Sequence, residues 1–291
     1  MRVRAATPSD AKAAADIVMA VDLAEIGEVD YSLADLHDEW NEHGFDLARD
    51  AVIVEDDAGS PIGYAHFRSN DVVAAVDPRR EGEGAGTALL EWAERRGRER
   101  GASKLRQAIG DRGAAGRALL SAHGYIPVRS YWRMDREVRP GETADETGLR
   151  ELRATDAPAL HAISEIAFAG DDSYESPSVE IWAQRQLGAH GLDHALSRVA
   201  VQQDNPVGFA LARRWEGDAV YVPLLAVHPE AAGKGLGGRL LQAVFAAAAA
   251  AGQRQVRLNV AADNPNAVRL YERVGMSQRW RVDDYQKPLP D

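Results

Sequence analysis

With 291 residues, 45% of them hydrophobic, the chain holds enough apolar material for two globular cores, which excludes an extended disordered polymer. Cysteine is absent, so disulfides, thiolate metal sites and a covalent acyl-enzyme on sulfur are excluded. A net charge of −11 argues against a nucleic-acid backbone as partner, and the longest near-apolar run, residues 243–251, is about half of a membrane span.

Taken along the chain, Val3-Arg4-Ala5 predicts a short strand, and Thr7 to Asp10 starts an Ala-rich helix. Lys12, Asp10 and Asp16 interrupt that helix, so it lacks the apolar core of a signal peptide and a cytoplasmic protein is expected. The same strand and helix start recur at Leu149-Arg150-Glu151 and Thr155-Asp156-Ala157, 146 residues later. Val76-Asp77-Pro78 with its glycines at 82, 84 and 86 recurs as Val227-His228-Pro229 with glycines at 233, 235 and 237, at a shift of 151. Leu120 to Tyr125 matches Tyr271 to Met276 at that same shift. Residues 139–148 have no apolar periodicity and are rich in acids and breakers, so they read as a linker. Two related domains are therefore expected, 1–141 and 142–291.

In the second half the order is a strand at 149–153, a helix at 156–168, an acidic loop, a helix at 178–190 and strands at 197–202, 206–215 and 218–227. A long helix at 235–251, a strand at 254–260, a helix at 264–273 and a last strand at 277–287 follow. The first half repeats this with shorter strands. The expected class is α/β (α+β): in each half a mixed, mostly antiparallel sheet flanked by helices, with one parallel pair around the long crossover helix.

Gly233-Lys234-Gly235-Leu236-Gly237-Gly238 opens the long helix. Glycines let an anion approach the backbone, the first-turn N–H groups lack intrahelical partners, and Lys234 and Arg239 add positive charge. The glycine spacing fits a dinucleotide fingerprint, but the loop follows a late strand rather than the first, and no Ser or Thr follows Lys234 as a triphosphate loop requires. A plain glycine-rich turn would satisfy the loop alone. The loop is followed, however, by Asn264-Pro265-Asn266-Ala267-Val268-Arg269-Leu270-Tyr271, then Gly275-Met276. Together the two motifs resemble the GCN5-related N-acetyltransferases, and the resemblance covers both halves, a tandem layout shared with the mycothiol synthases.

That resemblance implies acetyl-CoA as co-substrate and an amine acceptor attacked directly in a ternary complex. It assigns Ala232, Gly233, Lys234, Gly235, Leu236, Gly237 and Gly238 to the pyrophosphate, with Ala232 standing where the family usually has Arg or Gln. Leu225, Ala226 and Val227 match the strand that pairs with the pantetheine arm, in a strand that Pro223 is expected to distort. Asn264 and Ala267 complete the cofactor side, and Tyr271 matches the acid that protonates the departing thiolate, although Asn264 also reads as a plain helix N-cap. Tyr221 stands where the mycothiol synthases carry a Glu, which makes it the candidate proton relay. Asp171, Asp172 and Glu175 fall on the loop that lines the acceptor pocket, which points to a cationic small-molecule amine. Alternatives are the cysteinyl amine of a pseudodisaccharide, as in mycothiol synthesis, and a non-catalytic acetyl-CoA-binding module. His190 and His194 have helical metal-ligand spacing but are flanked by Gly188 and Gly191, so no metal is expected; nor is nucleic acid or membrane, and a monomer or homodimer is. The first half carries Glu81 and Glu83 in its loop, Leu120 for Tyr271 and Gly113 for Asn264, and reads as a degenerate copy.

Overall fold

The structure is a computed structural model that describes residues 1–68, 70–171, 174, 176–215 and 217–289. Its contacts divide the chain into two compact units, Met1–Tyr131 with Trp280–Asp291, and Trp132–Arg279. Among the described residues no helix is long and apolar enough to cross a membrane.

The first unit runs β1 (Arg2–Ala5), α1 (Ala11–Glu25), α2 (Leu33–Trp40), α3 (Leu47–Asp50), β2 (Ala51–Glu55), β3 (Pro61–Arg68), β4 (Asp71–Val76), α4 (Ala85–Glu99), β5 (Lys104–Gly110) and α5 (Ala114–Ala122). Strand β6 (Ile126–Glu137) leads into the second unit. There follow β7 (Leu149–Glu151), α6 (Ala157–Phe168), α7 (Val179–Leu187), β8 (Arg198–Gln202), β9 (Asn205–Trp215) and β10 (Ala219–Val227). Then come α8 (Leu236–Ala250), β11 (Gln255–Ala261), α9 (Pro265–Arg273) and β12 (Ser277–Pro288). The repeat is visible in this order, and β3 and β4 span 8 and 6 residues against 11 and 9 in β9 and β10.

In the first unit the strand order is β1-β2-β3-β4-β5-β12, and in the second β7-β8-β9-β10-β11-β6. Each sheet is antiparallel along its first four strands and has one parallel pair, β4 with β5 and β10 with β11. A parallel pair needs a crossover, and α4 and α8 supply it. Helix α8 forms because Leu240, Leu241, Val244, Phe245 and Ala248 recur at helical spacing, and all five are buried in the main core of the second unit. It ends at Gly252, whose left-handed φ of 74° lets Gly252 and Gln253 donate to the last carbonyls, of Ala249 and Ala248.

Composition predicts a single boundary near residue 142, whereas the contacts group residues 132–141 with the second half and Trp280–Asp291 with the first. The end of β6 serves the second unit: Met134 is fully buried in its core, Val138 N donates to Arg254 O at 2.9 Å, and Gln255 donates to Asp135 at 2.6 Å. Strand β12 serves the first, pairing with β5 from Val282↔Gly110 to Pro288↔Lys104 and burying Tyr285 and Leu289 beside Leu90, Leu105 and Leu120.

Candidate functional site

In the second unit β10 and β11 pair at Ala219↔Gln255, Val220↔Val256 and Tyr221↔Arg257, and the register ends there. Beyond Tyr221, β10 continues against β9 alone, through Leu225↔Ala210, Ala226↔Phe209 and Val227↔Gly208. The register with β9 shifts between Tyr221 and Leu224, the segment that holds Pro223, which has no N–H to donate. The backbone of Leu225, Ala226 and Val227 thus has one edge bound to β9 and its other edge parted from β11.

The strand ends at the glycine loop. Ala232, Gly233, Lys234 and Gly235 are exposed, while Leu236, Gly237 and Gly238 are half-buried in the first turn of α8. Gly233 and Gly235 both have φ of 77°, and no atom stands within 4 Å of where a Cβ would be, so the loop presents backbone to open space. Gly235 is the N-cap of α8, which leaves the first-turn N–H groups directed at that space. This arrangement fits an anionic phosphate group. Arg239 departs from the expectation: it donates to Thr147 O and stands 3.4 Å from Asp145, so it anchors the preceding segment rather than the loop.

Helix α9 lies against the start of α8, with Leu270 3.3 Å from the Cβ position of Gly237. Asn264 caps α9, its Oδ1 accepting from Ala267 N at 3.0 Å. Tyr271 is 8% exposed and packs in the core with Val220, Val222 and Leu258. Burial, and then the neighbouring Tyr221, push its phenol up to about 12. Tyr221 is half-buried between the Trp215 ring, at 5.3 Å, and the Arg133 guanidinium, 4.9 Å from its ring centroid. The structure therefore brings Tyr221, Tyr271, Asn264, Ala267 and the glycine loop into one neighbourhood. Arg133 is the residue that sequence reasoning missed: it is 2% exposed and lies on β6, in a stretch assigned to the other domain.

Asp171 closes the turn after α6, its N–H donating to Phe168 O at 2.9 Å and its carbonyl accepting from Tyr174 N at 2.8 Å. Asp172 and Glu175 lie outside the described residues. In the same loop, Tyr174 donates to Glu165 at 2.8 Å, and Glu165 stands 3.4 Å from His161. Hydrogen bonds from Ser176 and Tyr174 hold the Glu165 carboxyl below its ordinary range. Among the described residues no group of three or more His, Asp or Glu could hold a metal ion.

The first unit has the same loop geometry and different side chains. Gly82 and Gly84 have φ of 79° and 89°, but Glu83 binds Arg80 at 2.9 Å, and Arg80 also binds Asp56 at 2.9 Å. Leu120 is buried at the Tyr271 position. At the Asn264 position stands Gly113, where an added Cβ would lie 2.5 Å from the Glu25 carboxyl and 2.6 Å from the Ile109 side chain, so both would have to shift.

Comparison with known proteins agrees with this geometry. The acetyltransferase (GNAT) family model matches residues 20–125 and 157–276, one match in each half. Relatives include mycothiol acetyltransferases of Thermobispora bispora, 33% identical over 76% of this chain and 78% of the relative, and of Beutenbergia cavernae, 29% identical over 78% and 80%. Among solved structures, a GCN5-related N-acetyltransferase from Sphaerobacter thermophilus superimposes with a TM-score of 0.80 at 27% identity, covering 100% of this chain and 96% of that one. A tandem GNAT protein from the clavulanic acid biosynthesis pathway shares the fold, with a TM-score of 0.73 at 15% identity over 100% and 99% of the two chains. With a parted parallel strand pair and a glycine-capped crossover helix in the second unit, and a family match in each half, the chain belongs to the GNAT family of acetyltransferases.

Proposed function

We propose that this N-acetyltransferase takes acetyl-CoA in its second unit and passes the acetyl group directly to an amine of a small molecule. The observation that carries the reading is the freed edge of β10 beyond Tyr221, in the same unit as the open glycine loop of α8 and the buried phenol of Tyr271. Gly233 to Gly238 hold the pyrophosphate with backbone N–H groups, and Lys234 adds charge at the exposed rim. Leu225, Ala226 and Val227 offer backbone to the pantetheine amides. The bound thioester supplies the acyl group. With no cysteine to carry that group, the amine nitrogen forms the new C–N bond as the C–S bond breaks. Tyr271 gives its proton to the departing sulfur, a role supported by a phenol that, raised to about 12 by burial, stays protonated at neutral pH. Tyr221 passes the amine proton to solvent through water, and Asp171 with its acidic neighbours in sequence favours a cationic acceptor.

A second reading, acetylation of a cysteinyl amine in mycothiol synthesis, is favoured by relatives of that name aligned along about three-quarters of the chain. Tyr221 in place of the strand Glu sets this chain apart from that group. A screen of cysteinyl-glucosaminyl-inositol, aminoglycosides, polyamines and peptide N-termini, following release of CoA thiol, separates the two. Turnover with the pseudodisaccharide alone selects the second reading, turnover with other amines selects the first, and acetyl-CoA binding without thiol release from any amine indicates a non-catalytic module.

A further inference from the structure

Helices α6 and α7 cover the face of the second unit's sheet that carries Tyr221. Phe168 and Trp182, one from each helix, join Leu224 and Ala226 of β10 in a single apolar cluster. Arg213 is paired with Tyr221 across β9 and β10, so the two side chains share a face, and Arg213 Nη2 donates to Arg185 O near the end of α7 at 3.0 Å. The loop between the helices starts at Phe168, inside that cluster, and it carries Asp171.

One stripe of α6 holds this loop. His161, Glu165 and Phe168 recur at helical spacing, while Leu160 and Ile163 turn into the core. The Tyr174 ring stacks on Phe168, with centroids 5.4 Å apart and planes 25° from parallel. Glu165 accepts from the Tyr174 hydroxyl at 2.8 Å and from the Ser176 hydroxyl, and His161 Nε2 donates to Pro177 O at 2.9 Å. Ser178 then caps α7. Asp171 is strung between these points, its N–H on Phe168 O and its carbonyl on Tyr174 N. A carboxylate that accepts two hydroxyl protons bonds them more strongly than a neutral acceptor does, and here those two bonds join the loop to one helix position.

We infer that Glu165 is a positioning residue for the acceptor: through the hydroxyls of Tyr174 and Ser176 it fixes the loop that presents Asp171 to the amine. The inference rests on the proposed acetyl transfer and adds the side chain that orders the acceptor loop. The test is steady-state kinetics of the full chain with spermidine, kanamycin, cysteinyl-glucosaminyl-inositol and glycylglycine, following release of CoA thiol. Glu165→Ala raises the acceptor KM about tenfold or more and leaves kcat and the acetyl-CoA Kd within about twofold, because neither the β10 edge nor the glycine loop is touched. Glu165→Gln, whose amide accepts from one hydroxyl and donates to the other, keeps the acceptor KM within about threefold of the unsubstituted chain. Tyr174→Phe with Ser176→Ala reproduces the Glu165→Ala effect, and the triple variant is no worse, as expected of residues acting as one unit. The inference alone is overturned if Glu165→Ala leaves the acceptor KM unchanged or weakens acetyl-CoA binding equally, if Glu165→Gln is as impaired as Glu165→Ala, or if the triple variant adds a further rise. If the unsubstituted chain releases CoA with none of the four amines, the transfer reading fails and the inference falls with it.

Discussion

Two buried side chains with displaced titrations give the clearest tests at the residue scale. Tyr271→Phe removes only the hydroxyl from a ring packed against Val220 and Leu258. Steady-state kinetics with a verified acceptor should show kcat reduced about a hundredfold or more, with acetyl-CoA affinity little changed, because general acid catalysis contributes roughly 10²–10⁴. His66 in the first unit tests stability instead. Trp40 donates to the Tyr64 hydroxyl at 2.8 Å, and that hydroxyl is hydrogen-bonded to His66 Nδ1 at 2.9 Å. His66 Nε2 stands 3.7 Å from Glu39. Burial lowers His66 from 6.5 to about 3, so the folded imidazole is neutral and that contact is no charge pair at neutral pH. Below 6.5 the unfolded chain binds a proton that the folded chain does not, so stability falls as pH drops from 6.5 toward 3. Urea unfolding at pH 7 and pH 5 should differ by about 2 kcal/mol from this group, and His66→Gln should remove that difference. Of these residues the sequence made Tyr271 legible, through its fixed place after Asn264 and Ala267. It was silent on Arg133 and His66, because a charged or polar residue in a strand reads as solvent-facing until its neighbours in space are known.

The loop before α8 and its counterpart before α4 share a shape that depends on glycine, at the scale of elements. Gly235→Ala and Gly84→Ala both force a Cβ into left-handed φ, at a cost of roughly 1–2 kcal/mol each, with no atom closer than 3.7 Å to clash. Thermal melting should fall by roughly 2–4 °C or somewhat more in each variant. Acetyl-CoA affinity, measured by calorimetry, should fall only with Gly235→Ala, since Glu83 stands in the first loop where the second has Lys234. This loop, the strand before it and the helix after it were legible in sequence, because glycine spacing, the apolar strand and the Leu240–Phe245 stripe are local signals. The shift of register at Pro223 followed from a missing N–H. The parting of β10 from β11 was not legible from periodicity, because Leu225 and Val227 continue the apolar pattern of a strand paired on both sides.

For the whole molecule, the two halves of the sequence and the two units of structure are not the same sets of residues. A linker at 139–148 looked like a boundary by composition, but strand partners are set by long-range pairing, and neither β6 nor β12 has a local pattern that names its partner. Deleting residues 280–291 should strip β5 of its seven paired residues and expose the pockets of Tyr285 and Leu289, each side chain worth roughly 1.5–3 kcal/mol of burial. Hydrogen exchange should then show protection lost in β5 and α5 while β10 and β11 keep theirs; equal loss in both units would contradict the assignment of β12 to the first. This shared custody of strands also has a temporal side. On a ribosome adding roughly 5–20 residues per second, about 150 residues separate Tyr131 from Trp280, a delay of roughly 7–30 s. Throughout it the nascent first unit presents β5 as an open edge, the kind of surface on which chains aggregate. Synthesis speed and chaperone supply should therefore govern the yield of this protein through one strand that arrives late.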